Sequence, residues 1–324
     1  MVQKSIRDLW YLVVKFTVMT ALMLLMGFIL PRLMPGNPFT GTADYALPPE
    51  AFASFAEYYA PDQSLWQQLG LYIRHLAQFD LGYSFCYKLP VFQLVAGRIG
   101  WTLFVSLAAL LCAACFAVPA GALAAITLRR ERDRMAVMTT IMVNSIPVFL
   151  IAFFIQLVVA YGLNWLPAQG AYAPDTLPFS SGFYLDVLRH GVLPVLSVVI
   201  FLTPSIFLLT RNIVMRVKKE KYVALARYLN LGNSTINMRY ILKNSMPEIV
   251  GKLNIHFVYA VSGTLFAEII FSYPGLGSLT KVAVDARDYP LIQGIFFFVG
   301  LYGVSVNLFF EWLQRRLNPW QTPR

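Results

Sequence analysis

The residues of this 324-residue chain that are equipped for chemistry are few and do not converge. His75, His190 and His256 have no metal-binding spacing. Cys86, Cys112 and Cys115 imply neither a zinc site nor a disulfide framework. Cys112 and Cys115 lie inside an apolar run and read as small packing residues. No G-x-x-x-x-G-K-[ST], G-x-S-x-G or H-E-x-x-H pattern is present, so no catalytic residue and no metal site is expected. What remains are isolated polar groups in greasy surroundings: Asn144 beside Pro147, Asn254 and His256, and Glu268. Ionisable groups at membrane depth are functional candidates by default, although a helix–helix hydrogen bond is the commoner explanation for Asn254 and His256. They form no acid–base chain of the kind a proton-driven pump needs.

The elements that must hold these groups are membrane helices. Hydrophobic residues make up 58% of the chain and charged residues 13%, against about 25% charged in soluble domains. The expected fold is an all-α polytopic membrane protein with six transmembrane helices of ~20 apolar residues each. They run roughly from Trp10 to Leu30, Trp101 to Leu128, Ala136 to Leu163, Gly191 to Thr210, Leu253 to Phe271 and Leu291 to Leu313. The first is too long, and lacks the small-residue cleavage site, for a signal peptide. The net charge of +10 does not point to nucleic acid, because the cations fall on alternate connections. Lys4 and Arg7 precede the first span, Arg129 to Arg134 join the second and third, and Arg211 to Lys252 join the fourth and fifth. Both termini are therefore expected in the cytoplasm, with basic residues also attracted to anionic membrane lipid.

The connection after the first span is long and external. It carries Leu65, Leu69, Tyr72, Ile73 and Leu76 at helical spacing, behind Asp62 or Ser64 as N-cap. A lid on the bundle and a docking surface for an external partner are both open readings. Pro147, Pro194 and Pro204 predict kinks in spans three and four, facing a cavity. After the fifth span, Pro274-Gly275 and Gly277 predict a turn, and the amphipathic segment beyond it breaks before Pro290. This reads as an external hairpin over 268–290.

The stretch KEKYVALARYLNLGNSTINMRYILKNSMPEIV, Lys219 to Val250, is basic and amphipathic. Tyr222, Leu225, Ala226 and Leu229 share one helical face, and Asn230 suits a left-handed C-terminal cap. Asn233 or Ser234 can start a second short helix, which Pro247 separates from span five. Two short helices at an angle make an elbow continuous with spans four and five. It serves either as a lever for a cytoplasmic partner or as a lipid anchor for the loop.

That stretch resembles the cytoplasmic coupling loop of ABC-transporter permeases, above all the dipeptide/oligopeptide/nickel branch. Tyr222, Val223, Ala226, Arg227, Leu231, Leu242, Asn244 and Pro247 match, and Asn230 stands where the family usually has glycine. Further matches come in order along the chain: LMPGNPF from Leu33, FDLGYSF from Phe79, Trp165-Leu166-Pro167, Arg189-His190, Glu268 with FSYPGLG from Phe271, Arg287-Asp288-Tyr289-Pro290, and Asn307 with Leu317-Asn318-Pro319. Asn37, Phe79 and Asn318 depart from the usual residues.

The resemblance implies a non-enzymatic subunit of the bacterial inner membrane that forms half of a pore for peptides or related small solutes. Nickel or metallophore cargo is the alternative within the family, and a secondary transporter the alternative class. Residues 1–30 would form the N-terminal segment and first span, 31–100 an external domain, and 101–324 the permease core with its elbow at 218–245. The implied partners are a second homologous permease, two cytoplasmic ATP-binding subunits and an external substrate-binding protein. ATP and Mg would sit on the partner ATPases, with no cofactor on this chain. Tyr222, Ala226, Arg227, Asn230, Leu231 and Gly232 would couple to the ATPase. Glu268, Pro274, Gly275, Gly277 and Asp288 would form an outer gate or receptor-facing surface. Asn144, Pro147, Asn254 and His256 would line the pore.

Overall fold

Apolar runs in a membrane wind into helices because only a helix or a closed barrel satisfies every backbone polar group without water. A computed structural model describes residues 2–33, 63–177, 180 and 182–317. In order come α1 (Val2–Leu33), α2 (Leu65–Ala77), α3 (Val91–Thr127), α4 (Arg130–Asn144), α5 (Val148–Gly162), α6 (Phe183–Val217), α7 (Lys221–Tyr228), α8 (Asn233–Ile270), α9 (Leu276–Asp285) and α10 (Tyr289–Leu317). Among the described residues there is no strand, only a bridge between Tyr83 and Pro90.

Of these, α3, α6, α8 and α10 are each long and apolar enough to cross a membrane, and α4 with α5 adds a fifth crossing if the bent pair is one span. The apolar stretch of α1, Val13–Ile29, is shorter. The span expected between Ala136 and Leu163 is thus not one kinked rod. It breaks by 86° at Ser145-Ile146-Pro147, because the proline ring removes a donor and disfavours helix in the residue before it.

Three further expectations are corrected. The second half of the elbow is not a separate short helix: α8 winds from Asn233 straight through Pro247. A π-helical turn over Ile236–Leu242 widens the coil just before the proline. Asn244 Nδ2 and Ser245 Oγ donate to the Tyr240 and Ile241 carbonyls at 2.7 and 2.8 Å, adding bonds across this irregular stretch. Secondly, α6 runs unbroken through Pro194 and Pro204, and both prolines are buried. Thirdly, the long helices start earlier than the apolar runs, at Val91 and Phe183, since backbone bonding continues past the hydrophobic stretch. The Asp62 cap and most of LMPGNPF lie outside the described residues. Ser64 does start α2: its N–H donates to Gln67 Oε1 at 3.1 Å.

The chain forms two units, Met1–Trp101 with Pro274–Leu308, and Thr102–Tyr273 with Phe309–Arg324. In the first, Phe28 packs on Tyr72 with ring centroids 5.7 Å apart. In the second, Ala122 and Ala125 of α3 pack with Ile213, Val214 and Val217 of α6. A Cβ on Gly121 would stand 2.6 Å from the Phe207 carbonyl oxygen, so only glycine permits that approach.

Candidate functional site

The elbow begins where α6 ends at Val217. Glu220 opens α7 in an extended conformation, and its carbonyl accepts from Val223 and Ala224 at 3.0 and 3.2 Å. Asn230 closes it with φ +50°. The Asn230 N–H donates to the Arg227 carbonyl at 2.9 Å and the Leu231 N–H to the Ala226 carbonyl at 3.3 Å. These paired bonds are the Schellman arrangement, and asparagine tolerates the left-handed step it requires. Gly232 then starts α8 at φ −58°, with open space where a Cβ would sit. Nothing in the chain's own fold demands glycine there.

The two faces of α7 differ. Val223 and Ala226 are buried with Ile236, Ile241 and Ile249 against Ala122, Ala125, Ile213, Val214 and Val217. Ala226 therefore sets how closely the elbow lies on the bundle and does not present its side chain outward. Leu231 reaches the edge of the same cluster. The other face leaves Tyr228 85% exposed, Leu229 64%, Leu225 59% and Tyr222 39%, with Met238 of α8 at 61%. Arg227 is exposed beside them. Burial and then the Glu220 charge push the Tyr222 hydroxyl above its usual pKa, so it stays neutral. An aromatic and aliphatic patch with basic neighbours suits a protein groove better than water.

The residues assigned to the outer side separate into two groups, one in each unit. Glu268 is fully buried on the last turns of α8, and its backbone carbonyl accepts from the Tyr273 N–H at 2.9 Å across a left-handed Ser272. Burial, and then the Glu268 charge, raise the Tyr273 hydroxyl well above the usual phenol range. In the other unit, Gly275 caps α9 by accepting from Leu279 and Ser278 Oγ at 3.2 and 2.9 Å, and Gly277 is buried. Asp288 is fully buried too. Its Oδ2 accepts from Ser84 Oγ at 2.5 Å and the Cys86 N–H at 3.0 Å, and its Oδ1 from the Leu291 N–H at 3.2 Å. It thus caps α10 and ties it to a loop 204 residues away in sequence. That loop is a tight return: Val91 donates to Gly82 and Ser84 to Leu89, each at 3.0 Å. Burial outweighs these bonds and lifts the Asp288 carboxyl above its usual range. The FDLGYSF and Arg-Asp-Tyr-Pro motifs are two halves of one knot, which sequence separation concealed.

The pore candidates do not form one group. Asn144 and Pro147 are exposed at the bend. His256 is 4% exposed, with Nδ1 3.3 Å from the Lys252 carbonyl and its ring edge-on to Tyr259, which fits helix packing. Asn254 Oδ1 is buried and, among the described residues, has no hydrogen-bond partner. Sequence reasoning passed over Gln156, a polar residue in the apolar π-helical end of α5. Its Nε2 donates to the Ala168 and Ile270 carbonyls at 2.9 and 3.0 Å, pinning the loop after α5 to the end of α8. Its signal was present: an amide in an otherwise greasy helix needs partners.

Residues 117–323 match the family described as Binding-protein-dependent transport system inner membrane component. The glutathione transport system permease protein GsiC of Salmonella paratyphi A (strain ATCC 9150 / SARB42) is 27% identical over 292 residues, covering 90% of this chain and 91% of the relative. GsiC of Escherichia coli (strain K12) is 28% identical over 296 residues, with 90% and 91% coverage. Among solved structures, a chain of the MetNI methionine ABC transporter in inward-facing conformations superposes with TM-score 0.57 at 11% identity, covering 69% of this chain and 96% of that one. A likeness at such low identity concerns the fold.

Proposed function

This chain belongs to the family of binding-protein-dependent transport system inner membrane components, and from that premise we propose that its elbow is the seat of a cytoplasmic ATPase in an importer of short peptides. The chain is an ABC-transporter permease and a multi-pass protein of the bacterial inner membrane. Two copies of a permease fold, this chain and a homologous partner, enclose the pore. Two ATP-binding subunits, which hold the ATP and Mg, grip the elbows from the cytoplasm, and a substrate-binding protein delivers cargo from outside. Counting α1 and the bent α4–α5 pair as one crossing each gives six spans with both termini inside. The chain itself hydrolyses nothing. Relatives named for transport of glutathione, itself a peptide, support peptide-like cargo.

Mechanically, ATP binding closes the ATPase pair and draws the elbows together. The force enters at Tyr222, Leu225, Arg227, Tyr228 and Leu229, while Asn230 keeps the angle at which they are presented. Glu268, Asp288 and the turn at Pro274 shape the outer side, and Asn144 and Pro147 contribute to the pore at the bend. The observation that carries this reading is the split elbow: an inner face sealed by Val223 and Ala226 and an outer face of exposed aromatic and aliphatic side chains. Co-expression with its ATPase, followed by affinity purification of this chain, tests it. The ATPase should co-purify with the intact elbow and be lost from a Tyr228→Ser/Leu229→Ser variant. Undiminished capture by that variant would refute the assignment.

A further inference from the structure

The cations around the end of α6 answer to more than membrane topology. Arg211 forks onto Asp133 of α4, with Nε 2.6 Å from Oδ1 and Nη2 on Oδ2, and the two side chains are only 16% and 18% exposed. Arg216 meets Glu248 of α8, whose other oxygen is held by Lys252 at 3.0 Å. Lys218 Nζ donates to the Ala125 and Ile126 carbonyls at 3.0 and 3.3 Å, in the last turn of α3. Three cations within eight residues therefore reach three different helices. A topology signal needs positive charge alone. It needs neither a two-pronged fork nor acid partners such as Asp133 and Glu248.

The mechanical context gives these ties a purpose. α7 starts at Lys221, so any displacement of the elbow moves the end of α6 first. The apolar cluster beneath it, Val223 and Ala226 on Val217 and Ala125, resists compression. Apolar contact is non-directional, however, and lets smooth helices slide. Charge-assisted, two-pronged bonds fix direction as well as distance.

We propose that the end of α6 is the junction that carries elbow motion into α3, α4 and α8, with Arg211, Arg216 and Lys218 as its positioning residues. This rests on the coupling role given to the elbow above. The four helices then move as one body at these contacts when the ATPase closes.

The test uses the assembled permease–ATPase complex with spin labels at Ala224 of α7 and Met138 of α4, both exposed. In the otherwise native chain the label distance should stay the same with and without bound ATP. In Asp133→Asn, and in the charge-conserving Arg211→Lys, it should broaden and shift when ATP is added. The swap Asp133→Arg with Arg211→Asp should restore the constant distance. A pair that merely stabilised the fold would lower the melting temperature without any ATP-dependent change. If Asp133→Asn assembles with the ATPase and keeps a constant distance, the junction is refuted. If the native chain does not assemble with the ATPase, the coupling reading fails, and the junction falls with it.

Discussion

Two helix ends in this chain close with the same left-handed step, Asn230 after α7 and Arg287 after α9, yet their surroundings are opposite in character. After Arg287 comes Asp288, which buries its charge and spends both oxygens on Ser84, Cys86 and Leu291 of its own chain. Around Asn230 the chain does the reverse and leaves Tyr228, Leu229 and Leu225 in the open. The first region is saturated internally, so it holds a shape. The second is saturated only when something covers it. A buried polar network is costly to break because each donor left behind loses its partner in a poorly solvated place. An exposed apolar patch costs little to alter in the isolated chain and much in a complex.

This contrast can be broken by substitution. The largest effect is expected from Asp288→Ala, which removes a helix cap and orphans several donors at once. It should lower unfolding stability by about 2–4 kcal/mol, read from denaturant melts in detergent. A loss comparable to that of an exposed residue would mean the knot is decorative. Next, Tyr228→Ala should weaken ATPase association by about 2 kcal/mol, roughly thirtyfold, and leave the chain's own melting within about 0.5 kcal/mol. Equal losses in both measurements would erase the distinction between the regions. Asn230→Val should cost about 1–2 kcal/mol and impair transport, because a β-branched residue resists the left-handed step. Asn230→Gly should stay within about 0.5 kcal/mol of the native chain; transport by the valine variant at the native level would show that the elbow's angle is unimportant.

The smallest effect concerns pH. Burial raises the Asp288 carboxyl above its usual range, so its folded pKa exceeds its unfolded one. The stability it supplies is then full below about pH 4 and declines as pH rises through the folded value. The gap in melting temperature between the native chain and Asp288→Asn should narrow as pH is raised from acid to neutral. A widening gap would show that the hydrogen bonds outweigh burial.

Much of the elbow is readable locally. The left-handed cap at Asn230 needs only a residue that tolerates positive φ after an amphipathic helix, and it appears where expected. The break at Pro147 arises from the chemistry of one ring, although its 86° size does not. The inward side of Ala226 is not readable, because a face shared by Tyr222, Ala226 and Leu229 on a helical wheel does not say which flank meets the bundle. Nor is the continuity of α8 through Pro247, because the widened turn before it lies beyond any single-residue propensity. The partnership of Ser84 with Asp288, and of Asp133 with Arg211, cannot be read at all, since each joins residues far apart in the chain.

By itself the sequence determined that this is a helical membrane protein, where its helices bend or cap, and, through ordered motifs, which family it belongs to. Those properties depend on hydrophobicity summed over a window or on backbone preference at one residue, both of which are local. Tertiary structure alone decided which face of α7 is sealed, which acid each cation meets, and that two distant motifs form one buried knot. Those outcomes depend on which side chains the packed helices bring within hydrogen-bonding distance, and such proximity is a property of the folded chain.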